Sequence, residues 1–90
     1  MTDNTHIDKK LLVRISRSDE KAFAILFSRY YEKLFHYIHR FIKSNQVAEE
    51  IVMDVFLKIW QGRDIILQIE KFDSFLFRIA HNKSIDFNGI

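Results

Sequence analysis

Apolar and polar positions recur with a helical period along most of the chain. In VAEEIVMDVFLKIW, residues 47–60, the apolar Ala48, Val52, Val55, Phe56 and Ile59 return every three or four positions. Glu50, Asp54, Lys58 and Gln61 step along another face. The spacing predicts a helix over 46–61 with one face for a core and the other turned outward. Upstream, Ala22, Phe23, Leu26, Phe27, Tyr30, Leu34, Phe35, Ile38, Phe41 and Ile42 keep the same period and predict a long helix over 19–43, the spine of the core. Ser18 reads as its N-cap, because Asp19 and Glu20 follow in the first turn, where their charge suits the positive end of the helix dipole. Ile7, Leu11, Leu12 and Ile15 predict a short first helix over 8–16, interrupted at Ser16 to Ser18.

Ser44 and Asn45 supply a stop and a cap between the two central helices, whose short connection makes them packed neighbours. Trp60 closes the second of them. Then QGRDIILQIEK, residues 61–71, loses clean periodicity at Gly62 and predicts a loop or a partly helical link. Asp73 and Ser74 give an N-cap signal for a last helix over 73–87. It carries Phe75, Leu76, Ile79 and Ala80 inward, with Arg78, His81, Asn82 and Asp86 directed elsewhere. Asn88-Gly89 ends it, and the polar stretch 1–6 is expected to be disordered. The sum is an all-α, compact bundle of about four helices in a single domain over 1–90.

Composition narrows this picture. With no proline and only two glycines, Gly62 and Gly89, long helices are favoured over a many-stranded fold. The 48% hydrophobic content suffices for a core. The absence of cysteine rules out disulfides and thiolate metal sites. The longest apolar run, Ala22 to Phe27, is far short of a membrane span, and the amino terminus has no signal-peptide pattern. A cytoplasmic protein without membrane insertion is expected. The net charge of +2 is too small to announce nucleic acid, but residues 47–71 hold three basic side chains against five acidic ones. Such an acidic island favours a basic partner.

Candidate chemistry is sparse. Glu32, His36 and His39 share a helix side, but they form no HExxH and have no ligand from a second helix, so no metal and no other cofactor is expected. The aromatic rings lie on one stripe, which suits core packing better than base stacking. No nucleophile sits beside a base and no glycine-rich phosphate loop is present, which argues against an enzyme. Two readings remain open from the residues alone: a helical protein-interaction or regulatory domain, and a free-standing DNA-binding module. The last helix is poor in Arg, Lys, Asn and Gln for the latter.

Three blocks in order carry a resemblance. DEKAFAILFSRYYEKLFHYI, AEEIVMDVFLKIW and FDSFLFRIAHNKSID are similar to the successive signatures of region two of bacterial extracytoplasmic-function (ECF) sigma factors, in the sigma-70 family. The similarity covers roughly residues 11–86. It implies a promoter-recognition domain whose central helix docks on the β′ clamp of core RNA polymerase through Glu49, Glu50, Met53, Asp54 and Lys58. Carboxylates suit that face because they can meet a partner arginine in bidentate, charge-assisted bonds. Met53 departs from the glutamine frequent at its position.

The resemblance also implies that the loop and last helix recognise and open the minus-ten element on the non-template strand. Its candidate DNA contacts are Gly62, Arg63, Lys71, Arg78, His81, Asn82 and Lys83. Asn82 falls where the family places a reader of a flipped base, and the stretch 62–71 is expected to form the base pocket with Asn82 at its rim. Arg78 and Ile79 stand where primary sigma factors carry paired tryptophans, so an aromatic wedge for melting is not expected. An anti-sigma factor is a further implied partner. The family's second helical domain is not in this sequence, and the chain is expected to be an excised domain or a truncated product.

Overall fold

The structure, a computed structural model, describes residues 9–88. The polar start, the apolar position at Ile7 and the Asn88-Gly89 stop beyond its first residue lie outside them. Helix α1, Lys9–Ser16, buries Leu11, Leu12 and Ile15, the positions that the spacing selects. It ends in a paired closure in which the Asp19 N–H donates to the Arg14 carbonyl at 3.0 Å and the Ser18 N–H donates to the Ile15 carbonyl at 2.9 Å. That closure puts Ser18 in the left-handed region, with φ of 68°, where glycine is more usual.

Ser18 is therefore not the cap of the next helix. Asp19 is: its carboxylate accepts from the Lys21 and Ala22 N–H groups, and it also accepts from Arg14 Nε at 2.9 Å. The hydrogen bond from the Arg14 side chain, then the Ala22 N–H, hold the Asp19 carboxyl below its usual pKa. The stability this adds is present at neutral pH and is lost as pH falls through the lowered value.

Helix α2, Glu20–His39, is the spine, and Ala22, Leu26, Tyr30, Leu34 and Ile38 form a buried row at every fourth residue. Phe23, Phe27 and Phe35 flank the row half-buried. The helix stops four residues before the predicted end at 43. The chain tightens there, with the Phe41 and Ile42 N–H groups both donating to the Ile38 carbonyl at 2.9 Å. This turns Ile42 into the core and leaves Phe41 39% exposed, so Phe41 leaves the stripe to which its spacing assigns it.

Helix α3, Asn45–Gln61, starts at an N-cap on Ser44, whose hydroxyl accepts from the Val47 N–H. All five predicted inward positions are buried, and Ile51 joins them. A 3-10 helix, Arg63–Gln68, follows, held by the buried Ile66. Helix α4, Phe72–Asn88, then closes the bundle against α3 and α2. The most extensive packing is between α2 and α3, and α1 seats the 3-10 helix.

Asp73 is not the N-cap of α4 that its sequence signal suggests. It lies inside the first turn, and its carboxylate accepts a hydrogen bond from the Tyr30 hydroxyl across the core. Burial first, then the hydrogen bond and the charge of Asp73, push the Tyr30 pKa well above the usual tyrosine range. Because the folded value is raised, the associated stability is complete below about pH 10, where an unfolded tyrosine titrates, and is lost as pH rises further. Above that point, unfolding free energy should fall more steeply in the wild type than in Tyr30→Phe, by up to about 1.4 kcal/mol per pH unit. Parallel curves in denaturant titrations from pH 8 to 11 would remove the buried Tyr30 hydroxyl and its hydrogen bond to Asp73 from the account.

Candidate protein- and DNA-binding faces

The inward arc of α3 is occupied by Ala48, Ile51, Val52, Val55, Phe56 and Ile59, which leaves Glu50, Met53, Asp54, Leu57, Lys58 and Gln61 on the outward arc. The structure thus brings together four of the five predicted clamp-facing residues: Glu50, Met53, Asp54 and Lys58, all exposed. It adds one that the motif reading misses. Leu57 is 53% exposed beside Met53 at 51%, so the face is apolar at its centre and charged at its edges. The signal for it was the i+4 step from Met53. Glu49 sits apart: its carboxylate accepts from the Tyr31 hydroxyl at 3.0 Å, on the side of α3 that faces α2. Desolvation and that bond raise the Tyr31 pKa.

Beyond Glu49, the groove between α2 and α3 is lined by Tyr31, Glu32, Phe35, His36, Asn45 and Gln46. The His39 ring stacks on Phe35 at 5.6 Å. Among the described residues no group of three His, Asp or Glu side chains converges as a metal site would require.

The seven predicted DNA-contacting residues separate into two groups. Lys71 and Arg78 line one hollow of about 490 Å³ with Ile69, Glu70, Ser74 and Phe75. Asn82 follows Arg78 one turn along α4 and is exposed, with Lys83 half-buried next to it. Lys71 and Arg78 are thus brought together, while Asn82 and Lys83 lie farther along α4.

The other three are placed differently. His81 turns back against α2, its Nδ1 3.3 Å from the Tyr37 hydroxyl and its ring edge-to-face with Phe41 at 5.5 Å. Gly62 ends α3 with φ of −100°, and a Cβ there would lie 3.6 Å from the Lys58 carbonyl, so neither conformation nor space demands glycine. Arg63 is tied inward: Nε donates to Ser18 Oγ at 2.8 Å and Nη1 donates to the Trp60 carbonyl at 2.7 Å.

A second pocket, of about 410 Å³, opens where α3 meets the 3-10 helix, between Ile59, Ile65, Ile69 and Phe75, with Lys58, Gln61, Gly62 and Gln68 completing its lining. This pocket lies along the loop, but Asn82 is not among its lining residues, so the expected rim position of Asn82 is not met. Seven residues past Phe75, it lies about 10 Å farther along the helix. The polar side chains that share a hollow with Phe75 are instead Glu70, Lys71, Ser74 and Arg78.

The described residues form an all-helical domain, and comparison with known proteins gives its kind. Residues 26–87 match the family model described as Sigma-70 region 2. The chain is 32% identical over 75 residues to the ECF RNA polymerase sigma-E factor of Escherichia coli K12, covering 83% of this chain and 39% of that protein. It is 30% identical over 78 residues to the ECF RNA polymerase sigma factor SigW of Bacillus subtilis, covering 87% and 42%. The RNA polymerase sigma-H factor of Pseudomonas aeruginosa is 31% identical over 75 residues, covering 83% and 39%. No solved structure matches the chain at a significant level. The chain belongs to the sigma-70 region 2 family, as the region 2 domain of an ECF-type sigma factor. It spans about two fifths of the length of these relatives, 39% to 42%.

Proposed function

We propose that this domain recognises promoters for a bacterial RNA polymerase by binding and without catalysing a reaction. In this reading the outward face of α3 docks on the β′ clamp, and the loop and α4 hold the minus-ten element on the non-template strand. The observation that carries it is that the exposed chemistry falls into two patches of different kind. Met53 and Leu57, edged by Glu50 and Asp54, form a protein-type surface. Lys71 and Arg78 line one hollow and Asn82 is exposed one turn further along α4, where cations could meet phosphates and an amide could read a base.

The protein works in the cytoplasm in this reading, and among the described residues no helix is long and apolar enough to cross a membrane. An anti-sigma factor would act most directly by covering the α3 face. Retention of the chain on an isolated clamp fragment tests the docking, and failure to bind either the fragment or core polymerase would sink it.

The strand reading has its own test in the complete sigma factor with core polymerase. Asn82→Ala should relax preference at a single minus-ten position, at a cost of about 1 to 3 kcal/mol for the preferred base. Arg78→Ala should weaken all sequences alike and flatten the salt dependence. Equal loss at every position in Asn82→Ala would make that side chain a strand holder with no role in reading.

A further inference from the structure

The 3-10 helix reaches the core through a single fully buried side chain, Ile66 at 1% exposure, while Ile65 and Leu67 are 52% and 40% exposed. This six-residue segment is seated on α1 through that side chain, and Arg63, its first residue, ties its start to two other parts of the fold. The Arg63 guanidinium lies 4.2 Å above the Trp60 ring, which in turn packs on Phe23 at 5.0 Å. Its Nε donates to Ser18 Oγ at 2.8 Å, 45 residues earlier in the chain, and its Nη1 donates to the Trp60 carbonyl at 2.7 Å, in the last turn of α3. A cation there also suits the negative end of the α3 dipole.

The acceptor on the far side is itself fixed. Ser18 sits at the left-handed residue of the α1 closure, with the Ser18 and Asp19 amides hydrogen-bonded at 2.9 and 3.0 Å, so the direction of its Cα–Cβ bond is defined. One arginine thus joins the turn between α1 and α2, the end of α3, the aromatic stack reaching α2, and the loop. With Nε and one Nη1 hydrogen engaged and one face on indole, the side-on Nε–Nη2 fork is not free for a phosphate without breaking the bond to Ser18.

We infer that Arg63 is a positioning residue: it sets the angle of the 3-10 helix, and with it the loop that carries Ile65, Ile69 and Lys71, and it makes no phosphate contact. The functional arm of this inference rests on the proposed promoter role of the loop. The structural arm does not, because it is read on the chain alone.

Amide hydrogen exchange of the 90-residue chain tests the structural arm. The 3-10 turn is reported by the Ile65 amide, bonded to the Gly62 carbonyl at 3.1 Å, and the Ile69 amide, bonded to the Ile66 carbonyl at 3.3 Å. In Arg63→Ala their exchange should quicken about tenfold or more, as expected from loss of a charged hydrogen bond, while Leu34 and Val52 amides keep wild-type protection. Arg63→Lys should not restore protection, because an ammonium has neither the fork nor the flat face. Ser18→Ala should give a smaller rise, since the Trp60 contacts persist.

In the complete sigma factor with core polymerase, Arg63→Ala should weaken minus-ten strand binding by a similar factor for every sequence, with an unchanged slope of log affinity against log salt. Unchanged exchange at Ile65 and Ile69, a uniform rise across the whole chain, or a salt slope reduced by about one would each overturn the inference. If the wild type bound no promoter strand, the promoter reading would fail, and the exchange data would still decide the role of Arg63.

Discussion

Asp54→Arg should abolish retention on core polymerase and on the isolated clamp fragment while leaving the melting temperature nearly unchanged. Asp54 is exposed on the outward arc of α3, and no hydrogen bond or ion pair among the described residues holds it, so the fold does not depend on its charge. Surface substitutions of this kind stay within about ±0.5 kcal/mol of stability. Binding is another matter, since an arginine placed against the basic partner that the acidic island favours sets like charges together. That costs several kcal/mol, or a loss of about a hundredfold or more in affinity.

The same face offers a second arm that does not depend on charge. Leu57→Ser removes an apolar side chain already 53% exposed, so folding loses little. A docked surface that buries it would lose about 1.5 to 3 kcal/mol. Weakening by Leu57→Ser that persists in high salt, together with salt-sensitive loss in Asp54→Arg, would identify an apolar centre with a charged rim. Full retention of binding in both variants would move the docking surface off α3.

The part of this fold that is legible in the sequence is the part set by one-dimensional periodicity. The Leu26, Tyr30, Leu34 and Ile38 row and the Ala48, Val52, Val55, Phe56 and Ile59 row are buried because a helix places every third or fourth residue on one side, whatever it packs against. What is not legible depends on where distant segments meet. Ser18 reads as the cap and Asp19 as an acid of the first turn, and the closure of α1 moves the cap to Asp19 by turning Ser18 to a positive φ. Asp73 has the right residue type for a cap but is drawn into the first turn of α4 by Tyr30, 43 residues away. Of the candidate site, the α3 face is visible because it lies on one helix. Arg63 is a candidate DNA contact by resemblance, and its partner Ser18, 45 residues earlier, becomes a neighbour only in three dimensions.

Leu34→Ala should destabilise the domain far more than Phe27→Ala, although the larger side chain is the phenylalanine. Leu34 is 0% exposed in the centre of the α2 row, where truncation leaves a cavity that the surrounding helices can only partly fill. Such a change costs about 2 to 5 kcal/mol. In a domain of this size each kcal/mol moves the melting temperature by roughly 4 to 8 °C, so a shift of about 10 °C or more is expected. Phe27 is half-buried, its ring 4.7 Å from Phe56 and 5.3 Å from Tyr31. Its loss removes ring contacts and part of a covered surface but opens no closed cavity, so the cost should fall below the 3 to 5 kcal/mol typical of a fully buried phenylalanine. Urea titrations of the two variants give the comparison directly, with equal slopes showing that only stability has changed. A Phe27→Ala cost equal to or above that of Leu34→Ala would mean that the aromatic flank between α2 and α3, and not the aliphatic row beneath it, holds the bundle together.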